Sequence, residues 1–274
     1  MQRKHEETLD LIHRRRSVRA FSKSPVPEGL RREILEAALR APTAGNMTLY
    51  SVIDVRSQQI KERLAITCDN QRWIATAPVV LVFLADYQRW MDFFRQQGGP
   101  EAARAAGRAL REPGMGDLFL AASDALIAAQ TAVLAAESLG LASCYVGDIL
   151  ENYEEHRGLL SLPPLAMPVT MLCIGYPRRS KTAAPMTPRL ASETLVHLDR
   201  YRRLEGRELE QAFEPLRSHY FSKGSFVPGA ENMGQHYYLK KFTAPFSREM
   251  DRSVREAIER WVLAGNEGES GEEG

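Results

Sequence analysis

Residues 118–147 read "LFLAASDALIAAQTAVLAAESLGLASCYVG". Its first part, Leu118 to Ala136, is nearly long enough to cross a bilayer but carries Asp124 and Gln130 among many alanines. An aspartate at bilayer depth costs roughly 2.5 to 3.5 kcal/mol on insertion scales. The run therefore reads as a buried helix. Alanine lets neighbouring backbones approach closely, so this helix belongs at the centre of the fold or in a subunit interface. Gly140, just past "AAESL", suits a left-handed helix cap, and "ASCYVGDI" then starts a strand.

Working upstream, "APVVLVFLAD" has the length and β-branched content of a buried strand, and "YSVIDV" reads as another. Ser57 caps a helix through "QQIKERLAIT". In "EGLRREILEAALRA" the residues Leu30, Ile34 and Ala38 recur every four positions, and Pro42 closes the element before the turn "PTAGN". Leu9 and Ile12 give a short helix over His5–His13. "EAARAAGRALREPGMG" reads as a weak helix running into a glycine-rich loop, an excursion able to cover a site. Downstream, "ENYEEHRGLL" is helical and "PVTMLCIGYP" a strand. "RRSKTAAPMTPRLASETLVH" lacks a period and reads as an extended arm. Two further helices fall at "RELEQAFEPL" and "REMDRSVREAIERWVLAG". The end, "GNEGESGEEG", is acidic and lacks large apolar residues, the composition of a disordered tail.

Composition bounds function only broadly. Thirty-six basic residues against thirty-five acidic leave a formal net charge of +1, so no global field attracts nucleic acid. The three cysteines, Cys68, Cys144 and Cys173, have neither disulfide nor metal-ligand spacing, which fits a reducing cytoplasm and no metal. The N-terminus has no signal-peptide pattern. Phosphate loops of the GxxxxGK type, HExxH, GxSxG and a GxGxxG after a strand are all absent. Against that background "RRRSVRAF", Arg14–Phe21, concentrates four arginines around a serine. Guanidinium groups suit phosphate oxygens and planar heteroatom edges. A solvated basic helix end and a nucleic-acid patch are the competing readings.

The order of motifs decides among them. An R-S-x-R turn after an N-terminal helix is followed by "LRAPTAGN", "NQRWIATAP", "AAESLGLASCYVG" and "MLCIGYP". With these in sequence, from about Thr8 to Tyr201, the chain resembles the FMN-dependent nitroreductase and flavin reductase family, especially its larger oxygen-insensitive, NADPH-using branch. The resemblance implies an α+β fold with a central mixed, mainly antiparallel sheet wrapped by helices. It also implies an intertwined homodimer with one FMN in each of two sites between the subunits. The expected organisation is an FMN-binding core over 1–200, a C-terminal helical extension over 201–264 packing on core and partner, and the acidic tail 265–274.

The same resemblance puts Arg15, Arg16, Ser17 and Arg19 on the flavin, with Arg15 and Ser17 toward the phosphate and Arg19 near N1 and O2. It puts Gln71 beside the pyrimidine end. Ala44 and Asn46, flanking Gly45, fall on a turn that passes close to the flavin, and Tyr145, Val146, Gly147 and Asp148 line the ring near N5. Relatives have a second glycine where Asp148 stands; a carboxylate there narrows the substrate range, favours cationic groups, or points to solvent. Arg189 in "TPRLA" keeps a basic phosphate ligand, while Thr187 replaces the family's lysine. Lys223 stands where an arginine contacts the 2′-phosphate of NADPH, which leaves NADPH and NADH both open as donor. The implied activity is two-electron transfer from NAD(P)H through FMN to a nitroaromatic, quinone or flavin, with no dedicated catalytic side chain. A flavin-fragmenting or dehalogenating reductase on the same fold is the alternative, and a non-redox nucleic-acid-binding protein a more distant one.

Overall fold

The run VVLVFLAD at Val79–Asp86 forms the strand around which the sheet assembles, and all eight of its residues are buried. The computed structural model describes residues 2–178, 186–222 and 224–266. In chain order the elements are α1 (Gln2–Arg14), α2 (Glu28–Ala38), β1 (Tyr50–Asp54), α3 (Gln58–Thr67), β2 (Val79–Asp86), α4 (Gln88–Gln96), α5 (Gly99–Ala105) and α6 (Met115–Ser138). They continue with β3 (Ala142–Val146), α7 (Tyr153–Leu159), β4 (Ala166–Gly175), α8 (Ser192–Leu195), α9 (Gly206–Phe221), α10 (Met233–Tyr237) and α11 (Pro245–Asn266).

Successive side chains of a strand point to opposite faces, and β2 uses both. Val79, Leu81 and Phe83 enter one core with Ile34 of α2 and Ala125, Ala128, Ala129, Ala132 and Ala136 of α6. Val80, Val82 and Leu84 enter a second core with Leu64 and Ala65 of α3, Cys68 and Ile149. The alanines of α6 recur at the three- and four-residue spacing of one helix face, so the helix lies flat on the sheet. A larger side chain there overpacks the layer.

The strands run in the order β1-β2-β4-β3 and every pairing is antiparallel. The expected mixed character reduces to one bridge, Ser17 beside Ser143 in parallel. Val18 N–H donates to Ser143 O at 2.9 Å, and the chain then crosses to pair Phe21 with Pro177, so the parallel contact is one residue long. Gly175 permits that crossing, since a Cβ there would lie 2.7 Å from Pro78 Cδ and 3.1 Å from Phe21.

Ser57 caps α3 as expected, its hydroxyl accepting from Ile60 N–H. Helix α4 is an element that the sequence patterns did not flag. Its Met91 is buried beside Tyr87, and Trp90 donates from Nε1 to Met47 O at 2.6 Å. The helix expected in 101–116 stops at Ala105, where Gly107 turns left-handed with φ 66°. A cavity of about 500 Å³ lies between α4 and the following loop, lined in part by Phe94, Arg95, Leu110 and Arg111.

The chain forms two compact units, residues 1–181 with 249–274, and residues 182–248. These divisions fall at Lys181 and Arg248. The reason for the second is Trp261, which is fully buried and joins Leu49, Tyr153 and Leu165 in a core of the first unit. Within the second unit Phe221 stacks on Phe226 at 5.1 Å and meets His236 at 4.7 Å. Val227 N–H donates to His236 Nδ1 at 3.2 Å. The extended arm falls partly in 179–185, and that part, like most of the acidic tail at 267–274, lies outside the described residues.

Candidate functional site

The helical hydrogen bonding of α1 runs on into the arginines, where Arg15 N–H still bonds Leu11 O at 3.0 Å. A cation at a helix C-terminus is favoured by the macrodipole. The bridge from Ser17 to Ser143 then fixes the turn against the edge strand β3. Arg15 and Arg16 are half-buried, and Ser17 and Arg19 are exposed.

Cys144 reports how closely these groups gather. Burial pushes its thiol up, while Arg19, a hydrogen bond with Ser17 and the charge of Arg15 oppose the rise and Asp148 adds to it. Tyr145, next along β3, is pushed up to about 12 by burial, again opposed by Arg15. Its hydroxyl donates to Gln130 Oε1 of α6 at 3.2 Å. Among the described residues neither Arg15 nor Arg19 makes an ion pair with a carboxylate. Two guanidinium groups beside an exposed hydroxyl, without an acidic counter-charge, form a surface fit for an anion.

After β3, Gly147 and Asp148 enter a short 3-10 turn over Gly147–Leu150. Asp148 does not simply point to solvent. Its Oδ2 accepts from Gln71 Nε2 at 2.7 Å. Gln71 Nε2 also donates to Cys68 O at 3.2 Å, and Gln71 Oε1 accepts from Trp73 Nε1 at 3.2 Å. Behind Asp148 lies Glu151, only 5% exposed, whose Oε1 is buried with no hydrogen-bond partner among the described residues. Burial raises the Glu151 carboxyl to about 7, helped by Asp148, Asp69 and Glu249.

The turn at Ala44–Asn46 is a further expected site segment, and no hydrogen bond or ion pair joins it to the arginine turn or to Gln71 among the described residues. Gly45 and Asn46 are both left-handed, with φ 57° and 56°, and both are exposed. Asp124 holds this turn from α6. It is 2% exposed and accepts from Ala44 N at 2.9 Å, Leu49 N at 3.1 Å and the Thr43 hydroxyl. Asp124 and Gln130 are six positions apart, about 9 Å along the helix axis, so α6 braces both the turn and Tyr145.

The structure thus brings Arg15, Ser17, Arg19, Gln71, Tyr145 and Asp148 into one neighbourhood of the first unit. Val146 is buried in the core behind them. Arg189 belongs to the second unit, where it is exposed and its Nη1 donates to Thr187 Oγ1 at 3.0 Å. Lys223 lies outside the described residues. Asp124, Trp73, Glu151 and Gln130 are supporting residues that motif reading missed. Only Asp124 carried a signal, as a lone acid within an alanine-rich helix.

Comparison with known proteins gives a consistent picture. The model of the nitroreductase family matches residues 12–176. The oxygen-insensitive NADPH nitroreductase of Salmonella typhimurium is 31% identical over 218 residues, spanning 80% of this chain and 84% of its own. The FMN reductase (NAD(P)H) of Bacillus subtilis is 31% identical over 255 residues, 89% of this chain and 95% of its own. The NADPH:FMN oxidoreductase of Vibrio harveyi, solved with NAD+, has a TM-score of 0.74 at 23% identity, over 92% of this chain and 97% of its own. At that identity the likeness concerns the fold.

Proposed function

The chain belongs to the nitroreductase family, and on that premise we propose that it is an FMN-dependent oxidoreductase. It takes two electrons from NADPH or NADH and delivers them to a nitroaromatic, quinone or flavin acceptor. The observation that carries the reading is the arginine turn bridged to β3, with Gln71 and Asp148 at its side. Bound FMN supplies the hydride chemistry, accepting from a reduced nicotinamide and donating to the acceptor.

The chain's own residues bind and orient. Arg15 and Ser17 hold the phosphate, with Arg16 adding charge, and Arg19 faces the N1 and O2 edge. A fixed cation at that edge favours the reduced, anionic flavin and raises its potential. Gly45 lets the 44–46 turn approach the ring closely, with Ala44 and Asn46 on either side. Tyr145 and Gly147 form the wall near N5, with Val146 packed in the core behind them. Lys223 offers a point charge for a nucleotide 2′-phosphate, so neither nicotinamide is excluded. Tyr145 has a raised pKa and a hydrogen-bonded hydroxyl, and no side chain is assigned as a general acid or base.

A homodimer completes this reading. Phe119, Leu120, Leu126 and Ile127 of α6 are 69%, 50%, 47% and 41% exposed, an apolar surface suited to a second copy. The three buried free cysteines are consistent with a reducing cytoplasm. The specialised reductases of the same fold and the nucleic-acid reading are not favoured by the relatives named above. Steady-state kinetics tests the proposal: initial rates with varied NADPH and nitroaromatic should give parallel double-reciprocal lines, the pattern of a two-step exchange. Intersecting lines, or loss of the flavin itself as product, would overturn it.

A further inference from the structure

A glutamine amide has two N–H donors and two carbonyl lone pairs. In Gln71 both donors are used, by Asp148 Oδ2 at 2.7 Å and Cys68 O at 3.2 Å. One lone pair is used by Trp73 Nε1 at 3.2 Å. What remains is a single acceptor site on Oε1. Rotating the amide by half a turn would set its oxygen against a carboxylate and a carbonyl, and its N–H groups against the indole N–H. All three contacts would become repulsive, so the orientation follows from the chemistry of the partners and not from which atom was drawn as oxygen.

Among the three partners Asp148 dominates. Its bond is the shortest, and a charged acceptor bonds about twice as strongly as a neutral one. Glu151 lies beside it, and burial together with the nearby acidic groups raises the Glu151 carboxyl to about 7. The flavin pyrimidine ring has one N–H, at N3, between two carbonyl groups. An acceptor-only glutamine matches that N–H and opposes the carbonyls on either side.

We propose that Asp148 is a specificity-determining positioning residue: it takes up the Gln71 amide so that Gln71 presents only its carbonyl oxygen, selecting a ring edge with an N–H donor. The inference rests on the flavin reading above. It gives the Asp148 carboxylate a role through Gln71 and not through contact with the substrate.

The test compares FMN with N3-methyl-FMN, which lacks the donor, by quenching of flavin fluorescence on titration with wild type, Asp148→Asn and Asp148→Ala. The methyl group's bulk is common to all three, so the change in the binding ratio between variants is the readout. Wild type should prefer FMN by about tenfold or more, since the analogue leaves a buried acceptor unpaired. Asp148→Asn, whose Oδ1 still accepts from Gln71, should keep that ratio. Asp148→Ala should reduce it by at least about fivefold. If Asp148→Ala does not fold, Asp148→Ser replaces it with the same expectation. An unchanged ratio in the alanine or serine variant, or an equal loss in Asp148→Asn, overturns the inference while leaving FMN binding intact. Failure of wild type to bind either flavin overturns the flavin reading and this inference together.

Discussion

Two buried carboxylates lie next to separate segments expected at the site, and their surroundings differ. Asp124 accepts from two backbone N–H groups and a hydroxyl, and so meets donors on both oxygens. Glu151 is buried nearly as deeply, yet one oxygen has no partner among the described residues and its neighbours Asp148, Asp69 and Glu249 are acidic. A charge fully supplied with donors is a fixed strut. A carboxyl without them keeps its proton, and its state depends on pH. The 44–46 turn is therefore rigidly held, whereas Asp148, which accepts from Gln71, has beside it a carboxyl raised to about 7.

The largest effect should follow from removing the strut. Asp124→Ala leaves three donors unpaired, two of them backbone, and should cost about 3 kcal/mol, a Tm loss on the order of 10 °C. Thermal unfolding followed by circular dichroism measures it, and a loss under 2 °C would mean the turn is held by something else. Next comes the proposed phosphate-binding turn. Arg15→Ala should weaken FMN by about 10- to 100-fold, the worth of one hydrogen bond to a charged group, while Tm without flavin stays close to wild type.

The contrast is sharpened by pH. Because the folded Glu151 pKa lies above its ordinary value, the folded state holds the proton more tightly. Its contribution to stability is present below the ordinary carboxylate range and is lost as pH rises toward and through about 7. Glu151→Gln, which mimics the protonated form, should therefore gain in Tm relative to wild type as pH goes from 5 to 8. Parallel Tm profiles of the two proteins would contradict the assignment. The smallest effect belongs to Tyr145→Phe, which removes one bond to Gln130. It should change stability by less than about 1 kcal/mol and FMN affinity by no more than about twofold.

These contrasts also mark what sequence patterns convey. Alternation in β2, the alanine period of α6 and the Ser57 cap are local, and each is visible within a short window. Helix α4 was hidden because its aromatics, Trp90, Phe93 and Phe94, are weak helix formers and its packing partner Met47 lies elsewhere in the chain. The support of the site is non-local throughout. Asp124 reaches residues 75 to 81 positions away, and Asp148 meets Gln71 across 77. Motif order named candidate groups for the site, but nothing in a single chain's spacing names the carboxylates that lie beside them. Asp124 was visible as a charge that bars membrane insertion, and its three donors came only with the fold.

The central claim is that this surface holds FMN and passes electrons through it, and an anaerobic visible spectrum tests it most directly. Protein loaded with FMN and freed of excess should show flavin absorbance that bleaches when NADPH or NADH is added and returns when a quinone follows. A protein that retains no flavin, or whose bound flavin keeps its colour with both nucleotides, would contradict the account.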